Sequence, residues 1–478
     1  MTAPSPRDRD GRTRHAVVVG GGLAGIAAAL RLADRGHQVV VVERAAVLGG
    51  LCRSVEDPVA GRVDTGQHVF LGCCTSLERL LRRLRARPAV RQRRLELTVA
   101  AAPGARTLRT QALPSPLHLA QSLARWPGLG TRDRLRAARL GLHVSRLDQA
   151  ALAGLDGVPC LGWLQAHGQS EAACTWLWEP ILVATCNVPL ANCSAGLAAF
   201  VIREGLMRGP EAGALRIPAT DLTRWLDQPA RTALTQAGVE LRLRWRAIGV
   251  EDGGERLRVL GGPAASQSEP LLTDSVVLAV PARQVRRLAP PALQGDPTLS
   301  AAAQLPDSPI VNLHLFCDRP ILPAAVVVAP DSPLQWCFDR TALAGGSTPS
   351  GSGPFHVAVS LSAAGSWAAL PGDEVAARLW SACQRVFPAA RRARLLHHRV
   401  TREAHATFAA VPGSARARPG PATAHPGIAL AGSWTATGWP ATMEGAVRSG
   451  EAAAQVVHAA GLRPAGWATE TAAGPLPS

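Results

Sequence analysis

The feature that most restricts this chain lies near its start, in HAVVVGGGLAGIAAALRLADRGHQVVVVERAAVLGG (15–50). Val17, Val18 and Val19 form a short all-apolar run, as a strand buried on both faces of a parallel sheet requires. Gly20, Gly22 and Gly25 follow at once, spaced G-x-G-x-x-G. The first permits a tight turn, the second lets backbone approach a pyrophosphate, and the third lets the next helix pack on the strand. Ile26, Leu30 and Ala33 share a helical face, Gly36 stops the helix, and a second strand over 38–42 runs into Glu43. An acid there accepts hydrogen bonds from the ribose hydroxyls of an adenine nucleotide. A glycine triplet alone is a weak signal. Strand, turn, helix, strand and terminal acid in order predict a Rossmann-type unit that holds an adenine dinucleotide.

The next residues favour FAD over NAD. Arg44 follows the acid, then Gly49 and Gly50, then Arg53. A second glycine pair lets the chain fold back over the pyrophosphate of a longer cofactor. VDTGQHVFLG (63–72) then reads as a strand entering a glycine turn with Gly66, Gln67 and His68. His68 is either a satisfied polar residue in a hairpin or a group beside a flavin ring. Near the other end, GSWTATGWPATMEGAVRSG (432–450) keeps its side chains small just before a helix, as a flat ligand lying on the backbone would demand.

At 478 residues the chain is too long for one compact core, and two intertwined domains are expected. The formal charge of +16 comes wholly from arginine, for there is no lysine and no tyrosine. That bias, with abundant Ala, Gly and Pro, reflects a GC-rich coding sequence. No nucleic-acid motif accompanies it, so no nucleic-acid partner is expected, while attraction to an anionic membrane stays open. Ten cysteines without a CxxC pair read as reduced thiols of a cytoplasmic protein, and no metal site is expected. No secretory signal is visible, and the apolar run 16–33 is too broken by glycine to span a bilayer.

Two basic segments bear on the membrane question. LERLLRRLRARPAVRQRR (77–94) puts Leu77, Leu80, Leu81 and Leu84 on one helical face opposite arginine, and TRDRLRAARLGLHVSRL (131–147) repeats the theme. Each either packs its leucines on the core or rests on an anionic surface. SPIVNLHLFCDRP (308–320) alternates Val311, Leu313 and Leu315 as a half-buried strand, and GGSTPSGSGP (345–354) reads as a flexible loop.

Taken in order, these motifs resemble the flavin amine oxidase and phytoene desaturase superfamily. HPGIALAGSWTATGWPATMEGAVRSGEAAAQVV (425–457) is similar to its C-terminal flavin motif. The resemblance implies a strand ending at Gly432 and Ser433, a loop crossing the ribityl chain, and a helix from Thr442 and Met443 aimed at the flavin pyrimidine. A helix N-terminus stabilises negative charge on the reduced ring. The resemblance also implies a backbone contact to adenine near Ala247.

The middle of the chain narrows the resemblance. DTGQHVFLGCCTS, WLWEPILVATCNVPLANCSAGLAAFVI (176–202), LRIPATDLTRWLDQPARTAL (215–234), LQWCFDRTAL (334–343) and ATFAAVPGSARARPGPAT (406–423) resemble the squalene-associated FAD-dependent desaturases, the hydroxysqualene dehydroxylase family. The likeness runs collinearly from about residue 15 to 460. Two positions depart from that family: Thr65 stands where it usually has Asn, and Ser433 where it usually has Asp.

The fold so implied is α/β, a Rossmann-type FAD-binding domain with an interleaved α+β substrate domain. The expected division is a tail at 1–14, FAD-binding parts at 15–85, 213–290 and 399–461, substrate-domain parts at 86–212 (helical) and 291–398, and a tail at 462–478. FAD should be non-covalent, because no cysteine follows Cys383. The implied reaction is reductive removal of the hydroxyl of hydroxysqualene to give squalene, a step towards hopanoids. Such an isoprenoid prefers apolar surroundings by on the order of 20 kcal/mol. It must therefore arrive from a membrane or from a squalene-pathway partner enzyme, which places the protein in the cytoplasm, free or resting on the inner face of the cell membrane.

One proton is needed. His68 is the leading donor, and Glu179 the second, its pKa raised by burial in WLWEPIL unless it serves as a helix cap or arginine partner. Oxidative carotenoid-type desaturation with opposite electron flow, and a flavin-bearing scaffold without turnover, are the alternatives. Absence of Lys and Tyr argues against amine oxidation.

Overall fold

The computed structural model describes residues 13–86, 90–91, 94–101, 104–263, 268–345 and 354–460. Valines of the opening strand, His15–Val19, pair in parallel on both sides: Val18 faces Val41 of Gln38–Glu43 and Val277 of Ser275–Leu278. Adding Glu240–Leu243 outside the second strand and Ile428–Leu430 outside Ser275–Leu278 completes a five-stranded parallel sheet. Three distant stretches of chain thus share one sheet. Its strands are buried on both faces, which explains their near-continuous Val/Leu/Ala composition.

Two helices cover one face of this sheet, Leu23–Asp34 and the C-terminal Met443–Ala460. They cross very closely: a Cβ on Gly450 would stand 2.0 Å from the Ala24 carbonyl oxygen. Small residues in GAVRSGEAAA therefore serve helix packing. A flat ligand need explain only the loop before the helix, which corrects the reading of the whole 432–450 stretch.

The second layer is a seven-stranded sheet in the order 395–408, 307–317, 355–361, 335–339, 326–329, 96–101, 104–109. Two of its strands come from 86–212, which was expected to be helical; Glu96–Ala101 and Gly104–Arg109 pair with each other and extend the sheet through Val326–Ala329. Leu395–Phe408 belongs to this sheet along its whole length, carrying it past residue 398.

The strand Asp307–Cys317 is buried on both faces rather than one, with Asn312 and His314 as enclosed as Val311 and Leu313. The predicted helix at 77–94 runs only over Thr75–Leu84 and ends at Arg85 in the left-handed region, before Val90–Arg91 forms a short strand. Leu77, Leu80, Leu81 and Leu84 are all buried in the core, so this helix offers no apolar face to a membrane. Arg14 is already in place: its carbonyl accepts from Gln38 N at 2.8 Å. The tails at 1–12 and 461–478, and loop residues 346–353, lie outside the described residues. All ten cysteines are free.

His314 and His356 form a buried pair, Nδ1 of the first 2.9 Å from Nε2 of the second. The ring of His314 donates from Nε2 to the Asp64 carbonyl at 2.9 Å, so its Nδ1 accepts from His356. Burial favours the neutral form of both rings. Burial lowers His314 from 6.5 to about 4 and pushes His356 well below its usual value. A depressed histidine pKa stabilises the fold fully above about pH 6.5, and that stability is lost as pH falls from there through about 4. Melting temperatures should decline as pH falls from 6.5 towards 4. In His314→Gln the decline between pH 6.5 and 4 should be shallower, and an identical slope would remove the pair from the account.

Candidate active site

The glycine turn is built by contacts that only missing side chains allow. Gly20 sits at φ +111°, and a Cβ there would meet the Ala279 carbonyl oxygen at 2.4 Å. A Cβ on Gly25 would lie 1.9 Å from the Gly20 carbonyl oxygen. Gly22 is different: its Cβ would meet nothing nearer than the Gly50 Cα at 3.8 Å. Two glycines are thus needed by the protein itself, while the third keeps a space open. Gly49 N donates to Gly21 O at 2.9 Å, which folds the second glycine pair back over the turn as the sequence led one to expect.

Glu43 sits at the end of the second strand, and both of its carboxylate oxygens are used. Oε2 accepts from Gly21 N at 2.7 Å and Oε1 from Ala45 N at 2.8 Å. Each oxygen keeps a lone pair for a ribose hydroxyl. Arg44 is exposed, whereas Arg53 is half-buried with its guanidinium 3.8 Å from Glu403. Ala247 lies in Trp245–Asp252 at a β-bulge, three residues after Arg244, whose amide donates to the Ala45 carbonyl.

The loop 64–68 is held from outside. Asn312 donates from Nδ2 to Thr65 O and accepts at Oδ1 from Gln67 N, both at 3.2 Å. Thr401 Oγ1 donates to the same Thr65 carbonyl at 3.0 Å, and His314 holds Asp64 O. Thr65, one of the two departures, donates its hydroxyl to Arg53 O at 3.1 Å and so ties the loop to the segment before it. The Asp64 side chain is buried 3.7 Å from Arg340 and accepts from Ser54 Oγ and Leu222 N, both at 2.8 Å. Asn312, Thr401 and His314 were missed in the sequence. The available signal was the pair of polar residues two apart inside the apolar run IVNLHLF.

His68 is half-buried, with Nδ1 donating to Gly66 O at 2.9 Å. Burial opposes its charge, but the Cys52 sulfur, the Gly66 carbonyl and Asp64 outweigh it and raise the pKa to about 9. Beside it, both atoms of the Gln67 side-chain amide are buried without a hydrogen-bond partner among the described residues. Glu179 is a correction. It stands exposed at the start of the helix Glu179–Cys186 rather than enclosed, although apolar neighbours still push its pKa upward.

The C-terminal loop turns on Arg418, which the sequence reading passed over. Its guanidinium is 5% exposed and donates to the carbonyls of Ser433, Trp434, Thr435 and Trp439. It also lies 4.8 Å over the Phe408 ring. Burial lowers its pKa to about 10, against the pull of Asp156. With their carbonyls drawn onto this cation, the amides of Ser433 and Trp434 find no acceptor among the described residues, and neither do those of Met443 and Glu444 at the helix start. Thr442 caps that helix, its Oγ1 accepting from Gly445 N at 3.2 Å. Glu444 is fully buried and accepts from Ser76 N and Leu77 N, so it locks this helix to the start of Thr75–Leu84.

An open cradle at Gly22, an orphaned amide at Gln67 and free backbone donors at a helix N-terminus all fit an elongated, anionic, hydrogen-bonding cofactor. Fold and cradle define a two-sheet dinucleotide-binding flavoprotein. The chain belongs to the flavin containing amine oxidoreductase family, whose pattern matches residues 23–458. It is 32% identical to a hydroxysqualene dehydroxylase of Rhodopseudomonas palustris over 93% of this chain and 98% of the relative. It is 24% identical to a chloroplastic/chromoplastic zeta-carotene desaturase of Zea mays over 96% of this chain and 86% of that one. Putrescine oxidase bound to putrescine (16% identity, TM-score 0.66) and cyclohexylamine oxidase from Brevibacterium oxydans (18%, 0.66) share the fold over 94% of this chain and 99% of theirs. The protein is an FAD-dependent oxidoreductase.

Two glycine variants should separate cradle from scaffold. Gly25→Val should fail to fold. Gly22→Val should fold with an unchanged circular dichroism spectrum yet bind no FAD, released flavin absorbance being the readout. Full flavin content in Gly22→Val would show that the cofactor lies elsewhere. Arg418→Met should strand four buried carbonyls, at about 1–3 kcal/mol each for a lost partner. FAD affinity of the refolded apoprotein should fall about 100-fold or more, and Arg418→Lys should restore little of it, since one ammonium cannot span four acceptors.

Proposed function

We propose that this chain removes the hydroxyl of hydroxysqualene reductively, giving squalene, with His68 as proton donor and an apolar isoprenoid alcohol as its substrate class. The observation that carries the reading is the kinship with hydroxysqualene dehydroxylases along nearly the whole chain, and the raised pKa of His68 agrees with it. A histidine with a pKa of about 9 is an imidazolium at neutral pH. It is an acid ready to give a proton and a poor base for taking one. Oxidative desaturation removes a hydride and a proton and needs a base, so the same residue weighs against the opposite electron flow.

Its geometry assigns the two ring protons. Nδ1–H is committed to the Gly66 carbonyl, so the transferable proton is the one on Nε2. The C–O bond breaks with its pair on oxygen, which takes that proton and leaves as water. The carbon then gains a hydride, and reduced FAD supplies that hydride when bound. The clamp on 64–68 holds the imidazolium against the substrate through the departure of water. The Gln67 amide, with one donor side and one acceptor side free, is suited to a group that needs both.

An isoprenoid of this size will not wait in water. We place the enzyme at the inner face of the cell membrane, taking substrate from lipid or from a squalene-pathway partner. No helix among the described residues is long and apolar enough to cross a bilayer, so contact would be peripheral.

Anaerobic incubation of reduced enzyme with hydroxysqualene should yield squalene as flavin reoxidises. Deuterium placed on the flavin N5 should appear on the carbon that lost oxygen; solvent deuterium there instead would contradict hydride delivery. Turnover should be flat from pH 6.5 to 8.5 and fall about tenfold per unit above pH 9, because the acid is lost as its proton dissociates. His68→Ala should keep its FAD and lose about 10²-fold or more in kcat. An unaffected rate would remove His68 from the mechanism.

A further inference from the structure

The helix Thr131–Ser145 is amphipathic twice over. Its inner face, Ala137, Leu140, Gly141 and Val144, is buried. On the opposite side Arg132, Leu135, Arg139, Leu142 and Arg146 recur at spacings of three and four, which lines them up along one outward stripe. All five are exposed, Leu135 at 58% and Leu142 at 40%. None of the three arginine side chains has a carboxylate partner among the described residues. The one acid within the helix, Asp133, is occupied at its N-terminus by Gly130 N and Ser170 Oγ.

A second apolar feature stands next to it. ALPSPL (112–117) is exposed at every residue and carries no charge, with Leu113 at 46% and Leu117 at 57%. Ser115 Oγ donates to Met207 O at 2.6 Å, and the Met207 sulfur lies 3.2 Å from where a Cβ on Gly141 would be. Turn and helix are thus joined through Met207. Four of the nine large apolar side chains exposed among the described residues belong to this helix and the turn joined to it.

We propose that this surface, the outer stripe of Thr131–Ser145 with the 112–117 turn, is where the protein docks on an anionic lipid bilayer. Leucines alternating with unpaired arginines match an interface where apolar groups enter the acyl boundary and guanidinium groups meet lipid phosphates. The location also suits delivery. The helix packs on the π-helical turn Ile202–Leu206, in which Gly205 abuts Leu71, three residues from His68. The inference rests on the isoprenoid reading for its purpose, and its test is independent of turnover.

Full-length holoenzyme is sedimented with vesicles of phosphatidylcholine alone and with vesicles containing phosphatidylglycerol. Binding should favour the anionic vesicles and weaken in high salt. Leu135→Gln with Leu142→Gln should lower partitioning about tenfold or more. Arg132→Gln, Arg139→Gln and Arg146→Gln together should lower it about 100-fold, at roughly fivefold per arginine near an anionic surface. Retained FAD and an unchanged melting temperature check that these variants fold. Each should still process detergent-dispersed substrate at the parent rate while losing turnover of substrate held in vesicles. Absence of vesicle binding, or variants that bind as the parent does, would overturn the docking surface. Normal docking without squalene formation would instead sink the assigned reaction and leave the surface standing.

Discussion

The backbone of residues 64–67 passes between two sheets, and its polar groups cannot be left dry. Asn312, Thr401 and His314 reach out of the seven-stranded sheet to satisfy Asp64 O, Thr65 O and Gln67 N. Those bonds join the nucleotide half to the other sheet at the point where His68 stands. An unmatched buried polar group costs about 1–3 kcal/mol, so the clamp is both a seam of the fold and a device for placing the candidate acid. Neutral His314 and His356 are part of its logic. Protonating both rings would set two N–H groups against each other and break the pair.

Arg418 solves a similar problem in the loop before Met443–Ala460. A loop of small residues has little side-chain area with which to hold a shape. One guanidinium drawing four carbonyls inward replaces the packing the loop lacks, and it leaves the amides of Ser433 and Trp434 without partners. Buried charge of this kind costs desolvation, which the lowered pKa of Arg418 reflects. The return is a rigid surface of backbone donors close to the helix N-terminus at Met443.

The nucleotide half was legible because its constraints are local. Val17–Val19, Gly22, Gly25 and Glu43 each answer to a neighbour within the same βαβ unit, and the spacing records it; Gly20 answers to Ala279. The small residues of 445–454 were legible only as a pattern. Their cause, a helix crossing in which Gly450 meets Ala24, joins residues more than four hundred apart. Asn312, Thr401, His314 and Arg418 were illegible for the same reason, since nothing near them in sequence says which carbonyls they meet. Glu179 misled because apolar neighbours in sequence do not fix which side of a helix start faces solvent. The strands at 96–109 form a local hairpin that was lost to a helical reading, and only its join to Val326–Ala329 lies far downstream.

A polar cofactor and an apolar substrate impose opposite demands on the groups that meet them. Orphaned amides and a protonated histidine want an anion and a hydroxyl, while a thirty-carbon chain wants neither. The conflict is resolved if polar groups are confined to backbone and to one short loop. The 64–68 loop meets this condition: Asp64 O, Thr65 O and the Gln67 amide N–H are taken up by the second sheet and Gly66 O by His68, which leaves the Gln67 side-chain amide without a partner among the described residues. A hydroxyl on an otherwise featureless hydrocarbon is then the one point at which such a site can recognise its substrate. In the proposed reaction recognition and proton transfer fall on the same oxygen, so an isoprenoid lacking that group should gain nothing from the loop beyond burial.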